Sequence, residues 1–152
     1  MEKVLSYIDL AQEEGAKLLT GGQRVTTGDL ARGNYVPPTI FSDADNSMRV
    51  CQDEIFGPVE MVMPFETVQE AIEIANQSRY GLAAMVWTKN LDTAHRVARQ
   101  VKAGTVWVNC FFVRDLRAPF GGYKDSGVGR EGGAYSHEFF TESKAVVIKL
   151  GD

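Results

Sequence analysis

Cysteine is scarce in this sequence, with Cys51 and Cys110 in a chain of 152 residues. Two isolated cysteines are too few for a disulfide framework, and a zinc site needs its ligands in clusters. A reactive thiolate needs an electropositive setting, which neither local sequence clearly shows. We therefore expect two inert, reduced thiols and no metal site.

Positive charge and long apolar runs are lacking as well. The formal net charge is −4, and lysine and arginine are scattered along the chain, so no surface for a phosphate backbone is expected. No stretch approaches the roughly 18 apolar residues of a membrane span, and residues 1–4 lack the basic-then-apolar order of a signal peptide. These absences argue against nucleic-acid and membrane partners and predict a cytoplasmic protein.

The composition that remains is that of a folded protein. Hydrophobic residues make up 44% of the chain and charged residues 24%, which is far from the composition of disordered segments. A chain of this length can bury roughly two thirds of the surface that its unfolded form exposes. One domain with one core is therefore the default prediction.

The first third of the chain alternates between helical and extended patterns. Apolar residues at helical spacing predict an amphipathic helix that stops near Gly15, followed by a short strand at Lys17–Thr20 and a loop over 21–34. Residues 35–41 are predicted to be extended. Their two prolines, Pro37 and Pro38, suggest an edge position, because proline cannot donate a ladder hydrogen bond.

Strands and helices then alternate through the middle of the chain. Thr67 is expected to cap a helix over 68–77, with Ala71, Ile72 and Ala75 buried, and Gly104 to end a helix over 91–101. The remaining apolar runs predict strands at 59–65, 83–88 and 105–109, with Trp87 and Trp107 in the core. This order predicts βαβ units, hence an α/β fold with a parallel sheet covered on both faces.

A long glycine-rich loop follows the third strand, over residues 110–133. It contains a G-x-G-x-x-G pattern at Gly127–Gly132, but dinucleotide binding requires a strand directly before the first glycine and a helix starting on the third. Turn-forming residues precede this pattern. The better interpretation is a loop threaded close to another backbone, at the carboxyl end of a parallel strand where such folds bind ligands.

Two segments carry residue types suited to binding. In Glu54–Pro58 an acid and an aromatic residue two positions apart point to one side of an extended chain. Glu54 can accept hydrogen bonds from sugar hydroxyls, and Phe56 can pack against a flat heterocycle.

The second segment, residues 111–120, places aromatic and basic residues directly after a strand end. Arg114 and Arg117 offer planar forks that match a carboxylate, beside Phe112 and Phe120, so the loop can line a pocket for an anionic organic substrate. The alternative is an ordinary exposed loop with an internal salt bridge at Asp115. The residues alone leave both interpretations open.

Taken together, these motifs resemble the C-terminal part of the aldehyde dehydrogenase superfamily, in the same order and over essentially the whole chain. The matching segments are Glu54–Pro58, Trp107–Asn109, Pro119–Gly127 and Gly129–Glu131. The resemblance implies a portion of a parallel-sheet αβα catalytic domain over residues 1–141. It also implies an oligomerisation strand over residues 142–152.

The resemblance further implies NAD(P)-dependent oxidation of an aldehyde through a cysteine thiolate and a glutamate base. By position, Glu54 would hold the nicotinamide-side ribose and Phe56 would pack near the nicotinamide. Phe120 would match a substrate-pocket aromatic, with Phe112 and Arg114 at pocket-lining positions.

Residues outside the pocket also acquire implied roles. Glu131 would assist the proton path to the general base, and Arg130 would lie near the interface of a homo-oligomer joined through Ala145–Leu150. The family's nucleophilic cysteine and base match no residue of this chain, because both lie upstream of its first residue. The chain alone is therefore expected to be catalytically silent, with no bound NAD or NADP.

The loop over 113–122 looks most like that of semialdehyde dehydrogenases acting on hydroxymuconic or 5-carboxymethyl-2-hydroxymuconic semialdehyde. These substrates carry carboxylates away from the aldehyde, and a pocket arginine would orient them through a bond worth roughly 1.5–3 kcal/mol. Arg114 is favoured over Arg117 because it falls on a pocket position. The alternatives are a betaine-type or general aliphatic aldehyde dehydrogenase, or a non-catalytic oligomerisation or regulatory module.

Overall fold

The computed structural model describes residues 1–151, and its contacts divide the chain into two compact units. The first unit covers residues 1–77, and the second begins at Ser78. The first unit contains one three-stranded sheet, and the second contains two two-stranded sheets. The predicted boundary at residue 141, between the catalytic-domain portion and the oligomerisation strand, stays a prediction.

The first unit is a three-stranded mixed sheet with helices around it. Its elements are α1 (Glu2–Glu13), β1 (Lys17–Thr20), a 3-10 turn (Asp29–Arg32), β2 (Thr39–Ser42), α2 (Arg49–Gln52), β3 (Val59–Met61) and α3 (Val68–Gln77). The central strand, β2, runs antiparallel to β1 and parallel to β3.

The core of this unit forms between α1 and β2. Val4, Ile8 and Ala11 recur at helical spacing and are buried, which confirms the predicted amphipathic helix. They belong to one hydrophobic cluster with Phe41 of β2, whose side chain is 0% exposed. This cluster fixes α1 against the sheet.

Three expectations for the first unit are corrected. The strand after the prolines is central, not at an edge, because Pro37 and Pro38 precede its first residue and take no ladder position. The strand expected at 59–65 ends at Met61. Ala75 of α3 is exposed and not buried.

The cap predicted for α3 is confirmed, because the Glu70 N–H donates to Thr67 Oγ1 at 3.1 Å. Helix α2 was not predicted.

The second unit contains the predicted βαβ arrangement. Its elements are β4 (Tyr80–Gly81), β5 (Ala83–Val86), α4 (Leu91–Gln100), β6 (Thr105–Val108), β7 (Tyr123–Lys124) and α5 (Gly133–Phe140). Strands β5 and β6 pair in parallel and α4 connects them, while β4 and β7 form a small antiparallel ladder. The α/β class with a parallel sheet is confirmed.

Two local predictions fail in this unit. Helix α4 ends at Gln100, where the Val101 N–H donates to Val97 O at 2.9 Å, so Gly104 does not end it. Trp107 is 9% exposed and buried as predicted, whereas Trp87, just after β5, is 67% exposed. Helix α5 was also not predicted.

The C-terminal segment predicted as a strand has no strand partner within residues 142–151. Four of its apolar side chains are exposed: Val146, Val147, Ile148 and Leu150. The last residue of the predicted segment, Asp152, lies outside the described residues. Among the described residues, no helix is long and apolar enough to cross a membrane.

Candidate functional site

The predicted cofactor residues lie in the first unit, between α2 and β3. Glu54 is exposed and the Phe56 ring is 85% exposed, so both are open to a ligand. Phe56 has φ of +59°, which is rare for a bulky side chain. This corrects the expectation of an extended pair: the chain turns at Phe56, so the turn sets how the ring is presented.

Contacts with α1 hold this turn in place. Lys3 Nζ donates to the backbone oxygen of Glu54 at 2.8 Å. A Cβ added at Gly57 would lie 2.6 Å from Val4 Cγ2, so the backbone passes the helix more closely than a side chain permits. Helix α1 therefore fixes the backbone on both sides of Phe56.

The neighbouring helix α2 is anchored by carboxylates. Glu14 accepts from the backbone N–H groups of Arg49 and Val50, both at 3.0 Å, and so satisfies two free donors at the helix start. Asp53 accepts from Tyr7 Oη at 3.0 Å and from Arg49 Nε at 2.9 Å. These bonds tie α2, and the segment that follows it, to α1.

Cys51 in α2 has the environment of an unreactive thiol. Burial, followed by the nearby negative charges of Glu14 and Asp45, raises the pKa of its thiol. A higher pKa means less thiolate at neutral pH, and the thiolate is the nucleophile. That Cys51 is inert stays a prediction.

The second candidate region begins where β6 ends. Asn109 has φ of +53° and bonds twice to Thr88: its Oδ1 accepts from the Thr88 N–H and its Nδ2 donates to Thr88 O, both at 2.8 Å. The side-chain amide thus continues the pairing of β5 and β6 by one step. The loop over 110–133 consequently leaves the sheet from a fixed point.

An aromatic cluster organises the start of this loop. The Trp107 indole Nε1 donates to Val113 O at 2.9 Å. The centroid of its ring lies 6.0 Å from those of both Phe111 and Phe112, within the range of favourable aromatic pairs. Phe112 itself has φ of +57°.

The two candidate arginines lie in different environments. The Arg114 Cζ is 5.5 Å from the centroid of Phe112 and 5.0 Å from that of Phe120, a cation–π arrangement with both predicted pocket aromatics. Arg117 Nη2 instead lies 2.6 Å from Asp115 Oδ2. This hydrogen bond lowers the pKa of Asp115 and raises the pKa of Arg117.

The salt bridge that the alternative interpretation required is therefore present, and Arg117 forms it. Within residues 1–151, the Arg114 side chain makes no hydrogen bond or ion pair. Its charge is thus available to an anion, whereas that of Arg117 is already neutralised by Asp115.

Phe120 and Glu131 are brought side by side by the backbone. Each N–H donates to the other's oxygen at 2.8 Å, forming an antiparallel bridge. Both line a cavity of about 360 Å³, as do Trp107 and Arg114, whereas Arg117 is not among its lining residues. This volume lies in the range of small-molecule sites.

The glycine-rich loop is threaded closely past other backbone, as predicted. A Cβ added at Gly121 would lie 2.6 Å from Gly129 O, and one added at Gly132 would overlap Ala118 O. Helix α5, which was not predicted, begins directly after Gly132. The dinucleotide pattern still fails, because β7 ends at Lys124 and a turn, not a strand, precedes Gly127.

Arg130, the predicted interface residue, bonds within this loop. Its Nη1 donates to Gly122 O at 3.0 Å and to Gly129 O at 2.6 Å. Its guanidinium Cζ lies 5.1 Å from the centroid of the Tyr123 ring. These contacts stabilise the loop, and the interface role of Arg130 stays a prediction.

Comparisons with known proteins agree on one family. The model described as "Aldehyde dehydrogenase family" matches residues 1–146. The chain is 51% identical over 150 residues to 2-hydroxymuconic semialdehyde dehydrogenase from Pseudomonas sp. (strain CF600), covering 98% of this chain and 31% of that protein.

Solved structures give the same result. An indole-3-acetaldehyde dehydrogenase from P. syringae, in complex with NAD+ and IAA, superposes with a TM-score of 0.89 at 49% identity, covering 98% of this chain and 30% of that one. Betaine aldehyde dehydrogenase from Staphylococcus aureus superposes with a TM-score of 0.91 at 48% identity, covering 94% of this chain and 28% of that one. The chain thus spans about 30% of the length of the relatives that it matches.

Proposed function

Because this chain belongs to the aldehyde dehydrogenase family, we propose that it forms the C-terminal part of the catalytic domain of an NAD-dependent enzyme that oxidises a carboxylated semialdehyde to its acid. The observation that carries this proposal is the position of Arg114. Its guanidinium lies within 5.5 Å of the centroids of two aromatic rings, lines a cavity and has no ion partner within residues 1–151.

The choice of substrate follows from the chemistry of that arginine. A guanidinium is planar, always charged and matches a carboxylate through two parallel N–H groups. The rings of Phe112 and Phe120 support Arg114 without competing for those donors. The three relatives are named for different aldehydes and are 51%, 49% and 48% identical to this chain, so the choice rests on Arg114 and not on overall identity.

The residues of the first unit suit a dinucleotide. Glu54 offers an exposed carboxylate that can accept hydrogen bonds from ribose hydroxyls, and Phe56 offers an exposed ring that can pack beside the nicotinamide. NAD, when bound, supplies the acceptor for the hydride that leaves the substrate. Glu131 beside Phe120 would assist proton transfer to a base that lies outside this chain.

The nucleophile is also proposed to lie outside this chain. Burial and negative charge raise the pKa of Cys51, and Cys110 follows β6 without matching the family's nucleophile motif. The isolated chain is therefore proposed to be inactive and to bind no NAD. Activity then requires upstream polypeptide that carries the catalytic cysteine, the glutamate base and the dinucleotide-binding domain.

Arg114 can be tested in a complete enzyme. The test enzyme joins the upstream part of the Pseudomonas relative to this chain, which replaces that protein's matching C-terminal part. In Arg114→Ala we expect kcat/KM for 2-hydroxymuconic semialdehyde to fall about 10- to 100-fold, because a charge-assisted bond is lost. Turnover of benzaldehyde, which has no carboxylate, should be unchanged.

Arg117→Ala is the matched control, because it removes the same side chain from a residue already paired with Asp115. Its preference for the carboxylated substrate should stay as in the unsubstituted test enzyme. If Arg114→Ala keeps that preference, the substrate proposal is wrong and a neutral or betaine-type aldehyde becomes the better choice. A test enzyme without any activity would contradict the proposal that this chain completes the catalytic domain.

We further propose that the chain is cytoplasmic and forms a homo-oligomer through residues 145–150. The exposed apolar side chains of this segment, including Val147 at 92% exposure, support the oligomer, because pairing with the sheet edge of another copy would bury them. We expect the chain to associate in sedimentation velocity at about 100 µM, and a version ending at Thr141 to be monomeric. If the chain associates but the test enzyme is inactive, the alternative of a non-catalytic oligomerisation module is supported. A full chain that stays monomeric would refute both the homo-oligomer and this alternative.

A further inference from the structure

We propose that Trp107 is a positioning residue that sets the selectivity of the site by holding Arg114 beside the rings of Phe112 and Phe120. This inference rests on the proposed function and concerns how that selectivity is produced. Trp107 lies in β6, is 9% exposed and lines the same cavity as Arg114. Its position in a strand makes it a rigid support for a residue that lies on an exposed loop.

The indole contacts both residues that precede Arg114 in the chain. Its N–H donates to Val113 O at 2.9 Å, and this oxygen belongs to the peptide group that joins Val113 to Arg114. The bond therefore fixes the plane from which Arg114 extends. An indole N–H is a donor only, so no other group of Trp107 can replace this bond.

The same indole supports one of the two rings around the guanidinium. The Phe112 ring lies 6.0 Å from the Trp107 ring, and the Arg114 Cζ lies 5.5 Å from the Phe112 ring. Phe112 has φ of +57°, a conformation that is unfavourable for a bulky residue and persists only when surrounding contacts enforce it. Trp107 provides such a contact.

The other side of Arg114 is fixed independently. Asp115 Oδ1 accepts from the Arg117 N–H at 2.9 Å, and Asp115 O accepts from the Ala118 N–H at 3.0 Å, which forms a closed turn. Phe120, the second ring, is held by its bridge to Glu131. Trp107 is thus the attachment on the upstream side, where the loop leaves β6.

Preorganisation explains why this attachment affects selectivity. An arginine held in its binding position loses less side-chain freedom when a carboxylate binds, so affinity is gained without a new contact. If the loop can move, the carboxylated substrate loses this advantage. A neutral aldehyde, which makes no bond to Arg114, loses nothing.

Trp107→Phe in the test enzyme removes the N–H and keeps an aromatic ring. We expect KM for 2-hydroxymuconic semialdehyde to rise about three- to tenfold, the effect of one neutral hydrogen bond, with kcat unchanged. KM for benzaldehyde should rise less, because this substrate makes no bond to Arg114. The matched control is Trp87→Phe, because Trp87 is 67% exposed and its indole makes no hydrogen bond within the part of the chain described.

A second variant covers the case in which phenylalanine leaves a damaging void. Replacing Trp107 with benzothienylalanine keeps the two-ring shape and exchanges the N–H for sulfur. KM for the carboxylated substrate is again expected to rise more than KM for benzaldehyde. Equal losses for both substrates in both variants would show a purely structural role and would overturn the inference.

Combining the substitutions separates this inference from the proposed function. If Trp107 acts through Arg114, the double variant Trp107→Phe/Arg114→Ala should be no worse than Arg114→Ala alone, whereas additive losses would overturn the inference. If Arg114→Ala lowers selectivity but Trp107→Phe does not, the inference fails and the proposed function stands. If Arg114→Ala has no effect on selectivity, both fail.

Discussion

Replacing Gly104 with alanine is expected to destabilise the chain by about 3 kcal/mol and to displace the loop that carries Phe120. A Cβ at position 104 would overlap the backbone oxygen of Gly121, and a backbone atom cannot rotate away as a side chain can. The Gly104 N–H is also held by Gly81 O at 3.0 Å, so the residue cannot easily move back. Its φ lies outside the left-handed region, so only the steric overlap should contribute.

The measurement is the urea midpoint of the chain, followed by activity of the test enzyme. Because Gly121 follows Phe120 directly, any movement that relieves the overlap should shift the ring beside Arg114 and lower kcat/KM. Gly151→Ala is the matched control, since nothing lies within 4 Å of its added Cβ. An unchanged midpoint in Gly104→Ala would contradict the close approach of the two backbones.

Local patterns predicted the local structure well. Helix α1 and the β5–α4–β6 unit follow from apolar spacing and from strand and helix lengths, which are properties of neighbouring residues. The position of β2 was mispredicted because pairing depends on distant residues. A proline restricts pairing only when it lies within a strand, and β2 begins after Pro37 and Pro38.

The candidate site was predictable in residue type but not in geometry. Residue type alone does not tell which of Arg114 and Arg117 pairs with Asp115. The conformation of the turn decides it, and here the partner is Arg117. The left-handed conformations of Phe56 and Phe112 had no sequence signal either, because this region normally selects glycine or asparagine. Each is enforced by surrounding contacts that a linear pattern does not contain.

The supporting residues were the ones that the sequence analysis missed. Asn109 continues the pairing of two strands through its side chain, and Trp107 anchors the loop, yet their sequence context predicted only a strand end and a core position. A polar residue directly after an apolar strand, at a ligand-binding sheet edge, was the available signal for Asn109. For Trp107, the signal was the polar N–H on a buried ring, which needs an acceptor.

Replacing Phe41 with alanine is expected to destabilise the chain by about 3–5 kcal/mol, the usual effect of removing a fully buried phenylalanine. Phe41 is 0% exposed and lies in the cluster that holds α1 on the sheet. Its removal therefore leaves a cavity in the core of the first unit. The urea midpoint should fall accordingly. Phe65→Ala, which removes the same side chain at a position 56% exposed, should change the free energy of unfolding by well under 1 kcal/mol.

The loss should also reach the proposed cofactor residues, because α1 carries Lys3, whose ammonium group holds the Glu54 backbone at 2.8 Å. In the test enzyme we expect Phe41→Ala to raise KM for NAD+ while Phe65→Ala leaves it unchanged. Lys3→Met, which removes the hydrogen bond and keeps most of the side-chain length, should raise KM for NAD+ without lowering the urea midpoint as Phe41→Ala does. If Phe41→Ala lowers stability but leaves KM for NAD+ unaltered, the contacts of α1 do not position Glu54 for NAD+. The proposed role of Glu54 at the ribose then loses its structural support.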